Sequence, residues 1–281
     1  MSDRHSKTFI NREEEIARVT KVVSGLAAGN PYAPKERVFH FVGPSGIGKS
    51  SLLEKICWEL TNKHPKSVFL LVRLDALVGG KREFVDELLG VAHDKFCGCQ
   101  NWVFKRNDRQ EFSTHIQNKI SESGETIILL LDEVNVPPPK AMREIEVHLL
   151  VKFIHDNARA ILITAGRSQP VTFDDFALRP NANNIFQLSA FDVDKTSQQV
   201  ESLKPGAEGL AQKVVNLGSG VPGNTVKLVA HIGGAPLDIP EVLAVQSLVN
   251  DIKKTNNIED RFFPMLEALC GRGFSPDPTP T

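Results

Sequence analysis

Eight residues constrain this chain more than any others: Gly43-Pro44-Ser45-Gly46-Ile47-Gly48-Lys49-Ser50. They satisfy the pattern G-x-x-x-x-G-K-[ST]. The run before them, Val38-Phe39-His40-Phe41-Val42, is a compact apolar strand, and residues 49–62 after them carry helical spacing. Strand, glycine-rich turn and helix in that order make an anion cradle. The glycines let the backbone turn so that successive N–H groups face phosphate oxygens, and the helix opening near Lys49 aims its positive end at the same point. Lys49 can then reach β- and γ-phosphates, and the Ser50 hydroxyl can ligate Mg2+. Only roughly 0.01 such matches are expected by chance in a chain this long at average glycine usage. The spacing predicts a phosphate-binding loop whose contacts run through Gly43, Pro44, Ser45, Gly46, Ile47, Gly48, Lys49, Ser50 and Ser51.

Short apolar runs alternate with helix-type segments over most of the chain. Residues 38–42, 68–74, 126–131, 158–164 and 184–188 read as strands, and residues 11–26, 49–62, 81–96, 109–121 and 140–156 as helices. Nearly continuous apolar strands are those covered on both faces, so the pattern predicts an open α/β fold with a buried parallel sheet and right-handed crossovers. Near Leu188 the character changes. Residues 193–203, 208–217, 221–232, 240–250 and 258–270 read as short helices parted by Gly and Pro, and residues 275–281 form a Pro-rich tail. The expected division is an α/β core over 1–190, a helical lid over 191–274 with room for at most the start of a winged helix, and the tail.

Composition excludes several classes. Lys and Arg total 33 against 34 Asp and Glu, a formal charge of −1, which argues against a dedicated polyanion binder although a local basic patch stays possible. The hydrophobic share of 41% in 281 residues is enough for a sizeable core. Four Cys in such a length make no disulfide framework, and Cys97-Gly98-Cys99 lacks a second pair at zinc-site spacing. The first eight residues are polar, and runs such as Ile127-Ile128-Leu129-Leu130-Leu131 fall well short of the ~18 residues that span a bilayer. The expectation is a reduced, cytoplasmic protein without membrane contact.

The third strand ends in Leu131-Asp132-Glu133. Carboxylates at the carboxyl end of a buried strand lie beside the crevice where α/β sheets bind ligands. Asp132 is placed to assist Ser50 with Mg2+, and Glu133 to orient and deprotonate a water attacking the γ-phosphate. The stretch between Lys49 and Asp132 leaves room for one complete strand with its helices. The fourth strand ends in Thr164-Ala165-Gly166-Arg167, where Arg167 can touch the γ-phosphate or the attacking water. Other residues read as structure: His40 as a packed strand residue, Cys57 as a small buried hydrophobe, and His148 and His155 as sharing a helix face with no carboxylate at metal spacing. The run Lys105-Arg106-Asn107-Asp108-Arg109, with Trp102 and Phe104 nearby, reads as a solvated loop that could meet a partner or nucleic acid.

In their order these pieces resemble the STAND class of AAA+-related P-loop NTPases, which includes the NACHT and NB-ARC ATPases. Phe9-Ile10-Asn11-Arg12-Glu13-Glu14-Glu15 resembles the F-x-x-R-E-x-E motif upstream of the loop, and Ile161-Leu162-Ile163-Thr164-Ala165-Gly166-Arg167 resembles the sensor strand. Gly220-Val221-Pro222 resembles the GxP motif of the lid. The resemblance implies a five-stranded sheet in the order 5-1-4-3-2 followed by a helical lid, with ATP or ADP and Mg2+ as cofactors. It implies that Phe9, Ile10 and Arg12 help enclose the adenine and that Pro222 packs near the base. It also implies a switch that hydrolyses ATP slowly, closed with ADP and open to self-association or larger assembly with ATP. The chain departs from the pattern where a lid Arg would act as second sensor, since the first basic residue after the GxP is Lys227, while Arg179 could act on a neighbour's nucleotide. Such proteins usually continue into a sensor, so the chain is expected to be a fragment or a minimal member. Two rivals share the core: a DNA-associated ATPase of the origin-binding or transposition-helper kind, which the near-zero charge disfavours, and a nucleotide-bound scaffold with negligible turnover.

Overall fold

The computed structural model describes residues 9–77, 84–97, 109, 114–115, 118, 122, 125–167, 173–207 and 211–232. The expected helices at 240–250 and 258–270, the tail, and nearly all of the basic run and the helix at 109–121 lie outside them.

Five strands form where the apolar runs predict them: β1 (Val38–Val42), β2 (Val68–Arg73), β3 (Ile127–Asp132), β4 (Ala160–Gly166) and β5 (Ile185–Gln187). Among the described residues they make one wholly parallel sheet in the order β2-β3-β4-β1-β5. That is the expected 5-1-4-3-2 read from its other edge. Every residue of β1, β3 and β4 is buried, as uninterrupted apolar strands in the middle of a covered sheet must be. The edge strand β5 is shorter than its apolar run suggests, with Ile185 and Gln187 exposed. Its place is fixed by Asn184, whose side-chain amide donates to the Glu36 and Val38 carbonyls at 3.0 and 3.2 Å.

Register brings the carboxyl ends of the strands to one edge. Val42 pairs with Gly166 on one side and Gln187 on the other, Thr164 with Leu131, and Asp132 with Arg73. The helices of this layer are α1 (Glu13–Ala27), α2 (Lys49–Lys63), α3 (Phe84–Cys97) and α4 over residues 139–155. Three Glu in the first turn of α1 favour its positive end. Pro138 is extended, and Pro139, which needs no helical partner, opens α4. One core face joins Val38, Leu129, Leu131 and Leu162 of the sheet to Leu88 and Ala92 of α3 and to Leu149 and Phe153 of α4. Leu52, Leu53, Ile56 and Leu60 of α2 are fully buried.

Helix α4 is not regular. Between Pro139–Ile145 and Val151–His155 it winds through a π turn at Glu146–Leu150, which carries one residue more than an α turn can hold. The Arg37 side chain meets its far end. This guanidinium, 2% exposed, donates to the carbonyls of Ile154, Asn157 and Ala160 at 2.7–2.8 Å.

Residues 12–44 and 49–188 form one compact unit, and residues 1–11, 45–48 and 189–281 a second. In the described part of the second, α5 (Val193–Leu203), α6 (Ala211–Gly218) and α7 (Pro222–Ile232) pack around Val200, Ala207, Val214, Leu228 and Val229. The Asp192 side chain caps α5 by accepting from Lys195 N at 2.8 Å. No helix of the described residues is long and apolar enough to cross a membrane.

Candidate functional site

Strand β1 hands the chain directly to Gly43, whose N–H donates to the carbonyls of Gly166 and Arg167, both at 3.3 Å. The turn beyond uses Gly46 at φ +78° and Gly48 at φ +95°, backbone regions that only glycine enters readily. Lys49 opens α2 with its side chain folded inward, 4% exposed, and its Nζ donates to the carbonyls of Gly43 and Pro44 at 2.9 Å each. Burial holds the ammonium below the usual lysine range. The carboxylates of Glu133 and Asp132 counter that shift and Arg167 adds to it. All three charges therefore act on Lys49, which the sequence ties to none of them. Ser50 is half-buried and Ser51 exposed on the first turn of α2.

Asp132 ends β3 at 1% exposure, and its Oδ1 accepts from the Glu133 N–H at 2.9 Å. Glu133 turns the chain sharply at φ +55°, uncommon for a side-chain-bearing residue, and Val134 N–H then donates across to Ala165 at 3.1 Å. The Glu133 Oε2 atom is buried without a hydrogen-bond partner among the described residues, and Arg167 Nε lies 3.6 Å from it. Arg167 itself is 60% exposed along its side chain, so this is a loose ion pair in water's reach.

Sequence reasoning missed Asn135. Its Oδ1 accepts the Arg167 backbone N–H, and a side chain at Gly166 would run into it and come within 3.0 Å of Val134. Asn135 thus locks the turn after β3 to the end of β4 and sets where Arg167 leaves the sheet. The available signal was a polar residue two positions after the acidic pair, just before Pro137-Pro138-Pro139.

The Asp132 carboxylate and the Ser50 hydroxyl are oxygen donors of the kind a hard divalent cation takes, and Glu133 Oε2, which has no hydrogen bond, pairs with Arg167. Among the described residues no three His, Cys, Asp or Glu gather into a metal cage. Those donor types are ones that Mg2+ takes.

No protein-family model matches the sequence, and no curated protein matches it. Solved structures do. Cdc6p from Pyrobaculum aerophilum matches with a TM-score of 0.61 at 13% identity, over 82% of this chain and 65% of that one. The Aeropyrum pernix ORC1 protein, solved in complex with DNA, gives 0.58 at 13% over 88% and 66%. PCH-2 of C. elegans gives 0.50 at 12% over 89% and 73%. The fold is that of the AAA+ P-loop NTPases. The chain spans about two thirds of the length of the first two.

Within the AAA+ fold, one compact unit holds Gly43, Pro44, Lys49, Ser50, Ser51, Asp132, Glu133 and Arg167. Arg12 belongs to it too, 9% exposed, its guanidinium 3.5 Å from Glu15 and its pKa lowered by burial. Phe9, Ile10, Ser45–Gly48 and Pro222 belong to the other unit. Pro222 begins α7, and its carbonyl accepts from Gln199 Nε2 at 3.2 Å. The Arg179 guanidinium is turned onto its own loop, donating to the Phe173 and Asp174 carbonyls at 3.0 Å. His155 lies 3.2 Å from Asp175.

Proposed function

We propose that this chain is an ATP-binding, slowly hydrolysing switch of the STAND class. What carries the reading is the convergence of Asp132, Glu133 and Arg167 on Lys49 at the base of a glycine-rich loop. In this reading the loop N–H groups and Lys49 hold the phosphates, and Phe9, Ile10, Arg12 and Pro222 serve the base. Mg2+, when bound through Ser50 and Asp132, neutralises phosphate charge. Glu133 orients a water on the γ-phosphate and takes its proton, and Arg167 reports the γ-phosphate. Slow turnover is what the resemblance to the STAND class implies.

The test is steady-state ATP hydrolysis beside equilibrium ATP binding. Glu133→Gln should bind ATP as the wild type does and lose turnover by about 100-fold or more, whereas Lys49→Ala should lose tight binding. Equal hydrolysis by wild type and Glu133→Gln removes the assigned base. A second reading, a DNA-associated AAA+ ATPase, is favoured by the fold shared with ORC1, which was solved in complex with DNA. Gel-shift titration at two salt concentrations separates them, because phosphate-driven binding weakens steeply with salt.

A further inference from the structure

Gly220-Val221-Pro222 is followed by a second glycine whose position in space is unusual. Gly223 is the second residue of α7, where the N–H has no partner within the helix; Pro222 before it has no N–H at all. The Gly223 N–H instead donates to the carbonyl of Gly46 at 2.9 Å. Both residues lie in the same compact unit. The approach is backbone on backbone. A Cβ at 223 would stand 2.9 Å from Gly46 O and 3.2 Å from its Cα, and one at Gly46 would meet Val221 Cγ1 at 3.3 Å. The obstacle at 223 is backbone and cannot swing away, whereas the Val221 methyl facing Gly46 would have to give slightly.

A trans peptide is planar, with its C=O and the following N–H pointing to opposite sides. Holding the Gly46 carbonyl on the α7 side therefore holds the Ile47 N–H on the other. We propose that Gly223 is a positioning residue for phosphate: by anchoring the Gly46 carbonyl it fixes the Ile47 N–H as a donor to a phosphate oxygen of the bound nucleotide. This rests on the reading of residues 43–50 as a phosphate cradle. It assigns to the residue after the GxP a task separate from any contact with the base.

The experiment is Gly223→Ala in the full chain, with Val226→Ala on the same helix, a 45% exposed site, as control. Alanine is the better helix former, so loss of α7 is not the expected effect. ADP affinity in Mg2+ should fall about tenfold in Gly223→Ala, the loss that removal of one aligned donor produces, and stay unchanged in Val226→Ala. Amide exchange without nucleotide should quicken over residues 43–50 in Gly223→Ala and stay unchanged in β3. Wild-type ADP affinity in Gly223→Ala overturns the role of Gly223 while leaving the cradle in place. Exchange that also quickens in β3 assigns the loss to unfolding and overturns it as well. A wild-type chain that binds no ADP fails the cradle itself, and this role with it.

Discussion

Glu133 holds a left-handed conformation at φ +55° that costs a residue with a Cβ on the order of 1 kcal/mol. Glycine carries no such cost, and the ion pair lost with Glu133 is a loose one. Glu133→Gly should therefore leave stability in urea titration within about 1 kcal/mol of wild type, the relieved turn being set against the freer unfolded chain that glycine gives, while removing ATP turnover. A variant destabilised well beyond that would show that the turn is held by its side chain. His40 leads to a second expectation. It sits buried in β1 against the Phe173 ring and hydrogen-bonded to Thr164, and burial pushes its pKa down to about 4 from 6.5. The unfolded chain binds the proton first, so stability is intact above about pH 6.5 and falls as pH drops towards 4, by about 3 kcal/mol in all. His40→Gln should flatten that slope in urea titrations between pH 7 and 4.5. At this scale the loop, Asp132 and Arg167 were legible because each stands at a fixed offset from a strand end. Asn135 and the His40–Thr164 bond were not, since they depend on which strands become neighbours.

The elements show what burial can and cannot announce. Unbroken apolar runs identified β1, β3 and β4, whereas β5 hides its boundary because only a few of its residues pair. Residues 140–156 read as one regular helix, and the π turn inside α4 escaped notice. Its companion is the buried Glu146 carboxylate, which accepts the Asp175 N–H at 2.6 Å from a turn 29 positions on. No local period records that acceptor. The end of α4 allows a sharper test. Arg37→Met leaves three buried carbonyls without their donor and should cost about 3 kcal/mol. Arg37→Lys keeps the charge without the fork and should recover only part of the loss in the same titration.

For the whole molecule, the parallel sheet follows from the alternation of strand and helix and its order from the resemblance, but the two-unit division does not follow the chain. Residues 45–48 group with the helical unit although both flanks of that loop belong to the other. If nucleotide state governs assembly, light scattering should show a larger mass with a non-hydrolysable ATP analogue than with ADP; equal masses under both would leave an isolated module. The Arg37 side chain has a consequence for time as well as energy. Its three acceptors lie 117 to 123 positions away, so it can dock only after most of the chain between has been gathered. Contacts of that kind belong late on the folding route. Arg37→Met should then leave the refolding rate nearly unchanged and appear as faster unfolding, making one arginine a brake on the escape from the native state.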